Sequence, residues 1–283
     1  MRNYVYILQC RDGSYYTGWT NNIFRRLKAH NEGKAGAKCT RSRRPVSLAY
    51  AECFPTREAA MSREYAIKKL THAQKKELAG ERFVMGRIFY LIGKSASGKN
   101  KIYDSLIGNS ALDLKPLVIY TTRPVRSGET EGVEYHFTDE AGLALLKKSG
   151  KVIEERAYDT VCGIWKYFTV DDDTIDLSKG SYLAIGTLAS YRKLCAYYGT
   201  DTVIPLYVET EDGLRLARAL KRESKQSEPK YEEMCRRFLA DQKDFSETKL
   251  SRAGIKRRFL NNGSLSDCID EITGYIMKEK GGN

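Results

Sequence analysis

Seven residues, Gly93-Lys94-Ser95-Ala96-Ser97-Gly98-Lys99, link the apolar run Ile88-Phe89-Tyr90-Leu91-Ile92 to a helical pattern through Ile102, Leu106 and Ile107. Strand, glycine-bounded loop, lysine and helix in that order make a phosphate-binding loop. The glycines let backbone N–H groups turn toward phosphate oxygens, the helix N-terminus adds positive potential, and Lys99 reaches the transferring end. Asn100 stands where a serine or threonine usually offers a hydroxyl to magnesium. An amide oxygen there can still ligate the ion or hold one of its waters.

A second anion site follows in Thr121-Thr122-Arg123-Pro124-Val125-Arg126-Ser127-Gly128-Glu129, with Tyr135 nine residues beyond Arg126. Two guanidinium forks suit a phosphate monoester because each can bond two of its oxygens. Far upstream lies a different set: Tyr4-Val5-Tyr6, Tyr16-Thr17-Gly18, Arg26 and His30 four apart, and Arg63-Glu64.

These sets need separate scaffolds. The 283-residue chain fits two domains of about 80 and 200 residues, each able to bury a core. Residues 1–83 hold 17 Lys and Arg against 7 Asp and Glu, whereas the remainder holds 31 against 29. The basic N-terminal part is therefore expected to bind nucleic acid, and the larger part a small phosphorylated ligand. The run from Lys34 to Arg44, with Tyr50, suits a phosphate backbone. Seven scattered cysteines without a Cys-x-x-Cys pair argue against a disulfide framework or a zinc site, and predict reduced, mostly buried thiols. No apolar run approaches the roughly 18 residues of a membrane span, and no signal-peptide core lies between Arg2 and Arg11, so a cytoplasmic protein without membrane contact is expected.

In the first part, alternation through Tyr4, Tyr6 and Leu8, a turn at Asp12-Gly13 and a return through Tyr15–Thr17 predict a hairpin. Thr20 is expected to cap a helix with Ile23 and Leu27 on its buried face and Arg26 and His30 along one edge. A strand over 46–52 and a helix over 56–70 follow, then a polar segment with a short helix at 74–79. Met85-Gly86 reads as the start of a second unit. Beyond it, apolar runs at 88–92, 117–120, 182–186 and 203–208 alternate with helical patterns, which predicts a parallel sheet with helices on both faces.

Thr121-Thr122-Arg123, Arg126-Ser127-Gly128-Glu129 and Gly132-Val133-Glu134-Tyr135-His136-Phe137, in this order after the phosphate loop, resemble the guanylate kinase family over nearly all of 86–280. The resemblance implies a P-loop nucleoside monophosphate kinase fold with a core, a GMP-binding subdomain and a lid, moving a phosphoryl group from ATP to GMP or dGMP. It implies that residues 93–100 hold ATP, that Arg123, Arg126 and Tyr135 hold the GMP phosphate, and that Glu154 accepts from the guanine edge. Arg218 and Arg222 resemble lid arginines, and Arg237 one that closes on the transferring group. The strand over 182–186 lacks the aspartate that family members commonly carry near its end.

Tyr4-Val5-Tyr6, Tyr16-Thr17-Gly18, Arg25-Arg26-Leu27 with His30, and Arg63-Glu64-Tyr65-Ala66-Ile67-Lys68 resemble the small bacterial branch of the GIY-YIG nuclease family, over residues 2 to about 80. The resemblance implies magnesium-dependent cleavage of DNA, with Tyr6 as base, Arg26 as phosphate clamp, Glu64 as metal ligand, and Tyr16 and His30 as supporting groups. Glu64 lies one turn from Ala60 and Ile67, at the rim of a buried face, and could instead pair with Lys68. The expected organisation is α/β throughout: a small α+β GIY-YIG domain (1–80), a linker (81–86) and a guanylate kinase-like domain (87–280), with magnesium in both. The alternative is a catalytically weak guanine-nucleotide-binding scaffold that regulates a DNA-binding or nuclease module.

Overall fold

The computed structural model describes residues 2–32, 37–80, 85–160, 163–172 and 174–281. Lys34 of the basic loop, residues 81–84 of the expected linker and Cys162 lie outside them. The chain divides into two compact units, Met1–Met85 with Asp176–Lys179 and Gly86–Ile175 with Gly180–Asn283.

The first unit runs β1 (Asn3–Cys10), β2 (Tyr15–Thr20), α1 (Ile23–Glu32), α2 (Lys38–Arg41), β3 (Val46–Phe54), α3 (Arg57–Lys68) and α4 (His72–Gly80). Its antiparallel sheet has the order β2-β1-β3. The strand β1 is buried on both faces because a helix covers each one. Tyr4, Tyr6 and Leu8 pack with Ile23 of α1 on one side, and Val5 and Ile7 pack with Ala60 and Ile67 of α3 on the other. Burying aliphatic side chains of this size contributes about 1.5–3 kcal/mol each. Thr56 caps α3 by accepting the Ala59 N–H. The expected cap at Thr20 is displaced by two residues: the Asn22 side chain accepts the Arg25 N–H at 2.8 Å, and Thr20 instead accepts from the Asn22 N–H. Met85 packs against the first core, so the expected junction at Met85-Gly86 falls after that methionine.

The second unit continues with β4 (Ile88–Ile92), α5 (Lys99–Gly108), a 3₁₀ turn (Ser110–Leu112), β5 (Leu114–Pro116), β6 (Tyr120–Thr121), β7 (His136–Phe137), α6 (Glu140–Lys148), β8 (Val152–Thr160) and β9 (Gly163–Val170). Then come β10 (Ser181–Ile185), α7 (Leu188–Tyr198), β11 (Val203–Glu209), α8 (Asp212–Glu223), α9 (Tyr231–Asp244), α10 (Glu247–Arg252), β12 (Phe259–Leu260) and α11 (Leu265–Gly281). One sheet has the order β12-β11-β4-β10-β5 and every pairing in it is parallel. With β4 at its centre, the loop after β4 opens at the C-terminal edge of the sheet, where α/β folds place their ligands. The smaller sheet has the order β7-β6-β9-β8.

The strand expected over 117–120 does not form. Leu117 donates to Leu183 O and ends the run that pairs with β10. The chain then leaves that sheet, and Tyr120–Thr121 enters the smaller one between β7 and β9. Pro116, lacking an N–H, suits the edge position it occupies. The cysteine expectation also needs correction. The six described thiols are free, but only Cys10 and Cys268 are buried; Cys53 and Cys195 are half-buried, and Cys39 of α2 and Cys235 of α9 lie at exposed positions of their helices. Among the described residues, no helix is long and apolar enough to cross a membrane.

Candidate active sites

In the first unit, Tyr6 leaves the middle of β1 opposite Gly18 of β2. A Cβ at position 18 would stand 2.6 Å from the Tyr6 hydroxyl oxygen and 2.8 Å from its Cζ, so glycine is what admits the phenol ring. Arg26 and His30, one turn apart on α1, converge on this hydroxyl: Arg26 Nε donates to it at 3.1 Å, and His30 Nε2 lies 3.0 Å away. The Tyr16 ring centroid is 4.9 Å from that of His30 and 6.2 Å from that of Tyr6. Burial raises Tyr6 to about 12, opposed by the hydrogen bond from Arg26. Burial, helped by the cations of Arg26 and Arg44, holds His30 down to about 4, so it is neutral at physiological pH.

His30 was expected at a helix edge and is fully buried. Its Nδ1 lies 2.9 Å from Thr40 Oγ1 of α2, and Arg44 Nε donates to its backbone oxygen. Glu64 is mostly covered, its carboxylate 2.8 Å from Lys68 Nζ, and its charge acts on the Tyr6 hydroxyl. Among the described residues, no group of three His, Cys, Asp or Glu side chains could hold a metal. A single carboxylate is nonetheless a donor set that fits magnesium, which keeps several of its waters.

Sequence reasoning missed two residues of this site. Thr40 lies in the basic run and carries no distinguishing pattern. The other is Asn31, whose amide donates to Val46 O at 2.9 Å and accepts the Val46 N–H at 2.8 Å, tying the end of α1 to the first residue of β3.

In the second unit, the phosphate loop wraps the Lys99 ammonium, which donates to Gly93 O at 2.6 Å and to Lys94 O at 2.7 Å. Burial holds this ammonium down to about 8, opposed by Asp241 and helped by Arg215. Gly98, at φ +91°, sits where a Cβ would be 2.5 Å from the Asn261 amide nitrogen, and that amide donates to Ser97 O. Ala96, Ser97, Gly98, Lys99 and Asn100 line a cavity of about 670 Å³ together with Arg218 and Arg222 of α8. Lys94 and Ser95 face elsewhere. Lys94 Nζ donates to Gln242 Oε1 at 2.7 Å and to Asp212 Oδ1 at 3.2 Å, and the Ser95 N–H donates to Asp241 Oδ2 at 2.6 Å.

The residue that organises these contacts is Arg215, which sequence reasoning missed. Its side chain is buried, donates to Ser95 O at 2.9 Å and to Asp212 at 2.7 Å, and stacks on Phe238. A buried arginine is rare, and its charge is tolerated where it is paired and hydrogen-bonded as here. Arg237 is not brought to the phosphate-loop cavity. It is exposed, its Nε donates to Glu233 one turn earlier on α9 at 2.7 Å, and it borders a smaller neighbouring cavity with Ser95 and Arg222.

Arg123 and Tyr135 are brought together, with the guanidinium 5.2 Å from the ring centroid. Both forks of Arg123 are taken by Glu129, at 2.6 and 2.9 Å, which holds that carboxyl below its ordinary range. Arg126 is exposed over the Trp165 ring, and its backbone N–H donates to Glu129. Glu154 is buried on β8, where it accepts from Thr169 at 3.0 Å. Its second oxygen lies 3.3 Å from Arg156 Nε without making a hydrogen bond. Burial raises its carboxyl, opposed by Arg156. An ionised Glu154 with one oxygen unbonded is an acceptor suited to two neighbouring N–H donors.

A phenol clustered with arginine, imidazole and a lone carboxylate in a small α+β unit, followed by a P-loop α/β unit, defines a nuclease-type domain joined to a nucleotide-kinase-type domain. Two family models agree with this reading. A model of the GIY-YIG catalytic domain matches residues 2–77, and a guanylate kinase model matches residues 85–162. The chain is 57% identical to a UPF0213 protein of Clostridium perfringens over 82 residues, covering 29% of this chain and 87% of that protein. A UPF0213 protein of Bacillus licheniformis is 56% identical over 80 residues, covering 28% and 81%. A crystal structure of guanylate kinase from Anaplasma phagocytophilum aligns with 69% of this chain and 87% of its own at 21% identity, with a TM-score of 0.44. Through its first domain the chain belongs to the UPF0213 family of GIY-YIG proteins, and it carries a guanylate kinase family domain behind it.

Proposed function

We propose that the chain is bifunctional, a guanylate kinase that moves the γ-phosphoryl group of ATP to GMP or dGMP, joined to a magnesium-dependent DNA endonuclease. The observation that carries the kinase reading is the single cavity shared by the phosphate loop and the two α8 arginines, Arg218 and Arg222. Phosphoryl transfer demands little covalent chemistry of a protein. It needs the two nucleotides held in line and the negative charge of the transition state met by cations. Lys99, Arg218 and Arg222 supply those cations, and Arg237 reaches the site only if α9 moves toward the cavity. Arg123, Arg126 and Tyr135 receive the GMP phosphate, with Glu129 exchanging its place on Arg123 for the ligand. Glu154 takes the guanine N1–H and 2-amino donors. Asn100 is the residue placed to hold magnesium, directly or through water, and the ion would neutralise phosphate charge.

In the first domain, Tyr6 is the group that takes a proton from the attacking water, Arg26 holds the scissile phosphate, and Tyr16 and His30 position the phenol. Glu64 is the residue that would hold magnesium, which would stabilise the leaving oxygen. Asn100 favours one other reading, a nucleotide-binding scaffold with little turnover, because it offers no hydroxyl to the metal.

The test is ADP formation by the purified chain with ATP, magnesium and each of GMP, dGMP, AMP and UMP, beside a Lys99→Ala control. Guanine-specific turnover lost in the control supports the kinase. Tight GMP binding without turnover supports the scaffold. Cleavage of labelled single-stranded and branched DNA, lost in Glu64→Gln with DNA binding retained, tests the nuclease.

A further inference from the structure

We propose that Thr40 is a positioning residue of the nuclease site, and that it acts by fixing the tautomer of His30. The proposal rests on the nuclease reading above for its catalytic meaning, but its structural content stands on four hydrogen bonds. The Thr40 hydroxyl is 2.9 Å from Ala37 O, an acceptor only that also takes the Thr40 N–H, and the hydroxyl proton is assigned to that carbonyl. Its lone pairs then face His30 Nδ1 at 2.9 Å, and this contact is a hydrogen bond only if Nδ1 carries the proton. A neutral imidazole protonated at Nδ1 presents a bare lone pair at Nε2. That lone pair lies 3.0 Å from the Tyr6 oxygen, which already accepts from Arg26 Nε and has its own proton to give. The chain of donors therefore runs from Tyr6 O–H to His30 Nε2, and from His30 Nδ1–H to Thr40 Oγ1 and on to Ala37 O.

The consequence is chemical. A neutral phenol raised to about 12 is a poor base while it keeps its proton. With Nε2 unprotonated, Tyr6 can pass its own proton to His30 as it takes one from water. The water O–H bond breaks, the resulting hydroxide forms the new P–O bond, and the P–O bond to the leaving oxygen breaks. His30 ends as an imidazolium that still donates to Thr40, a charge that burial and the two arginines disfavour in the free site and that the phosphate anion held on Arg26 would offset. With the opposite tautomer, an N–H at Nε2 would point at the Tyr6 oxygen and the relay would be closed. The groups facing His30 are Tyr6 from β1, Tyr16 from β2, Arg26 from its own helix, Arg44 ahead of β3 and Thr40 from α2. None of them is a carboxylate, so among the described residues the Thr40 hydroxyl is the group placed to accept from Nδ1.

The test is nitrogen NMR of the full chain labelled with ¹⁵N-histidine. Only three histidines are present, and His30→Gln assigns the signal. The wild-type chain is expected to show a protonated Nδ1 and an unprotonated Nε2 at His30. Thr40→Val, which keeps the shape and removes the acceptor, should shift the population toward the Nε2–H form, and Thr40→Ser should restore the wild-type spectrum. Cleavage of labelled DNA should fall about tenfold or more in kcat, with KM little changed, in the valine variant and return in the serine variant. An unchanged His30 tautomer in Thr40→Val overturns the proposal, as does loss of the tautomer in both variants. A wild-type chain that cleaves no DNA refutes the nuclease reading separately, because the tautomer is measured without substrate.

Discussion

Asp241 on α9 and Ser95 in the phosphate loop are joined directly, the Ser95 N–H donating to the Asp241 carboxylate at 2.6 Å across 146 residues of chain. The same loop residue offers its carbonyl to Arg215 of α8, whose guanidinium lies 3.6 Å from that carboxylate. The two helices that follow β11 are thus bonded to the backbone that must cradle phosphate. The helices and the loop are expected to move together when nucleotide binds.

Arg215 should consequently matter to the loop more than any exposed arginine of α8. Arg215→Met keeps most of the volume but leaves Asp212 and Ser95 O without their shared donor. We expect a loss of about 3 kcal/mol in denaturant unfolding of the second domain. ATP affinity should fall alongside it. Arg218→Met, at the cavity wall, should cost little stability while weakening ATP. Equal stability losses in the two variants would remove Arg215 from its organising place.

Lys99 yields a pH prediction with a definite sign. Its folded value of about 8 lies below the ordinary value of 10.5. Between those two values the unfolded chain binds a proton that the native chain has released, so stability rises with pH across that window and the burial penalty is fully present below it. A bound phosphate should raise Lys99 again. Binding of ATP near pH 8.5 is therefore expected to take up protons, seen in calorimetry as a dependence on buffer ionisation heat that Lys99→Met abolishes.

His30 yields the complementary one. Held down to about 4 in the native chain against an ordinary 6.5, it stays neutral where the unfolded chain becomes protonated. The first domain should lose stability as pH falls from 6.5 toward 4. His30→Gln should be less stable at pH 7 yet show a flatter dependence over this range, read from thermal unfolding at pH 7, 6 and 5. A slope equal to that of the wild-type chain would show that His30 does not carry it.

Gly18→Ala tests the placement of Tyr6 without removing any polar group. The added methyl meets the Tyr6 hydroxyl, and a crowded core of this kind typically costs 1–3 kcal/mol. The fold should persist, because what the added methyl meets first is the far end of the Tyr6 side chain, but a displaced ring would leave Arg26 and His30 without their shared partner. DNA cleavage is expected to fall at least about tenfold with circular dichroism unchanged. Full activity would mean that the Tyr6 hydroxyl is not where the chemistry happens.

Much of this protein is legible in local pattern. The phosphate loop is contiguous, so its spacing, the strand before it and the helix after it are all present in one stretch. Arg26 and His30 share a helix face because they are four apart, and Glu64 lies at a rim because Ala60 and Ile67 flank it by one turn each way. Even the uneven charge between the two halves is a property of composition. Periodicity states which residues share a face, and it does so without knowledge of what covers that face. Only the tertiary structure decided the partners: Thr40 beneath His30, Glu129 on Arg123, and Arg215 rather than Arg237 against the phosphate loop. It also decided that the run after Pro116 leaves one sheet for another. Each of these joins turns on a hydrogen bond or burial event that segments of similar local pattern could have made differently, and the packing of the whole domain selects among them.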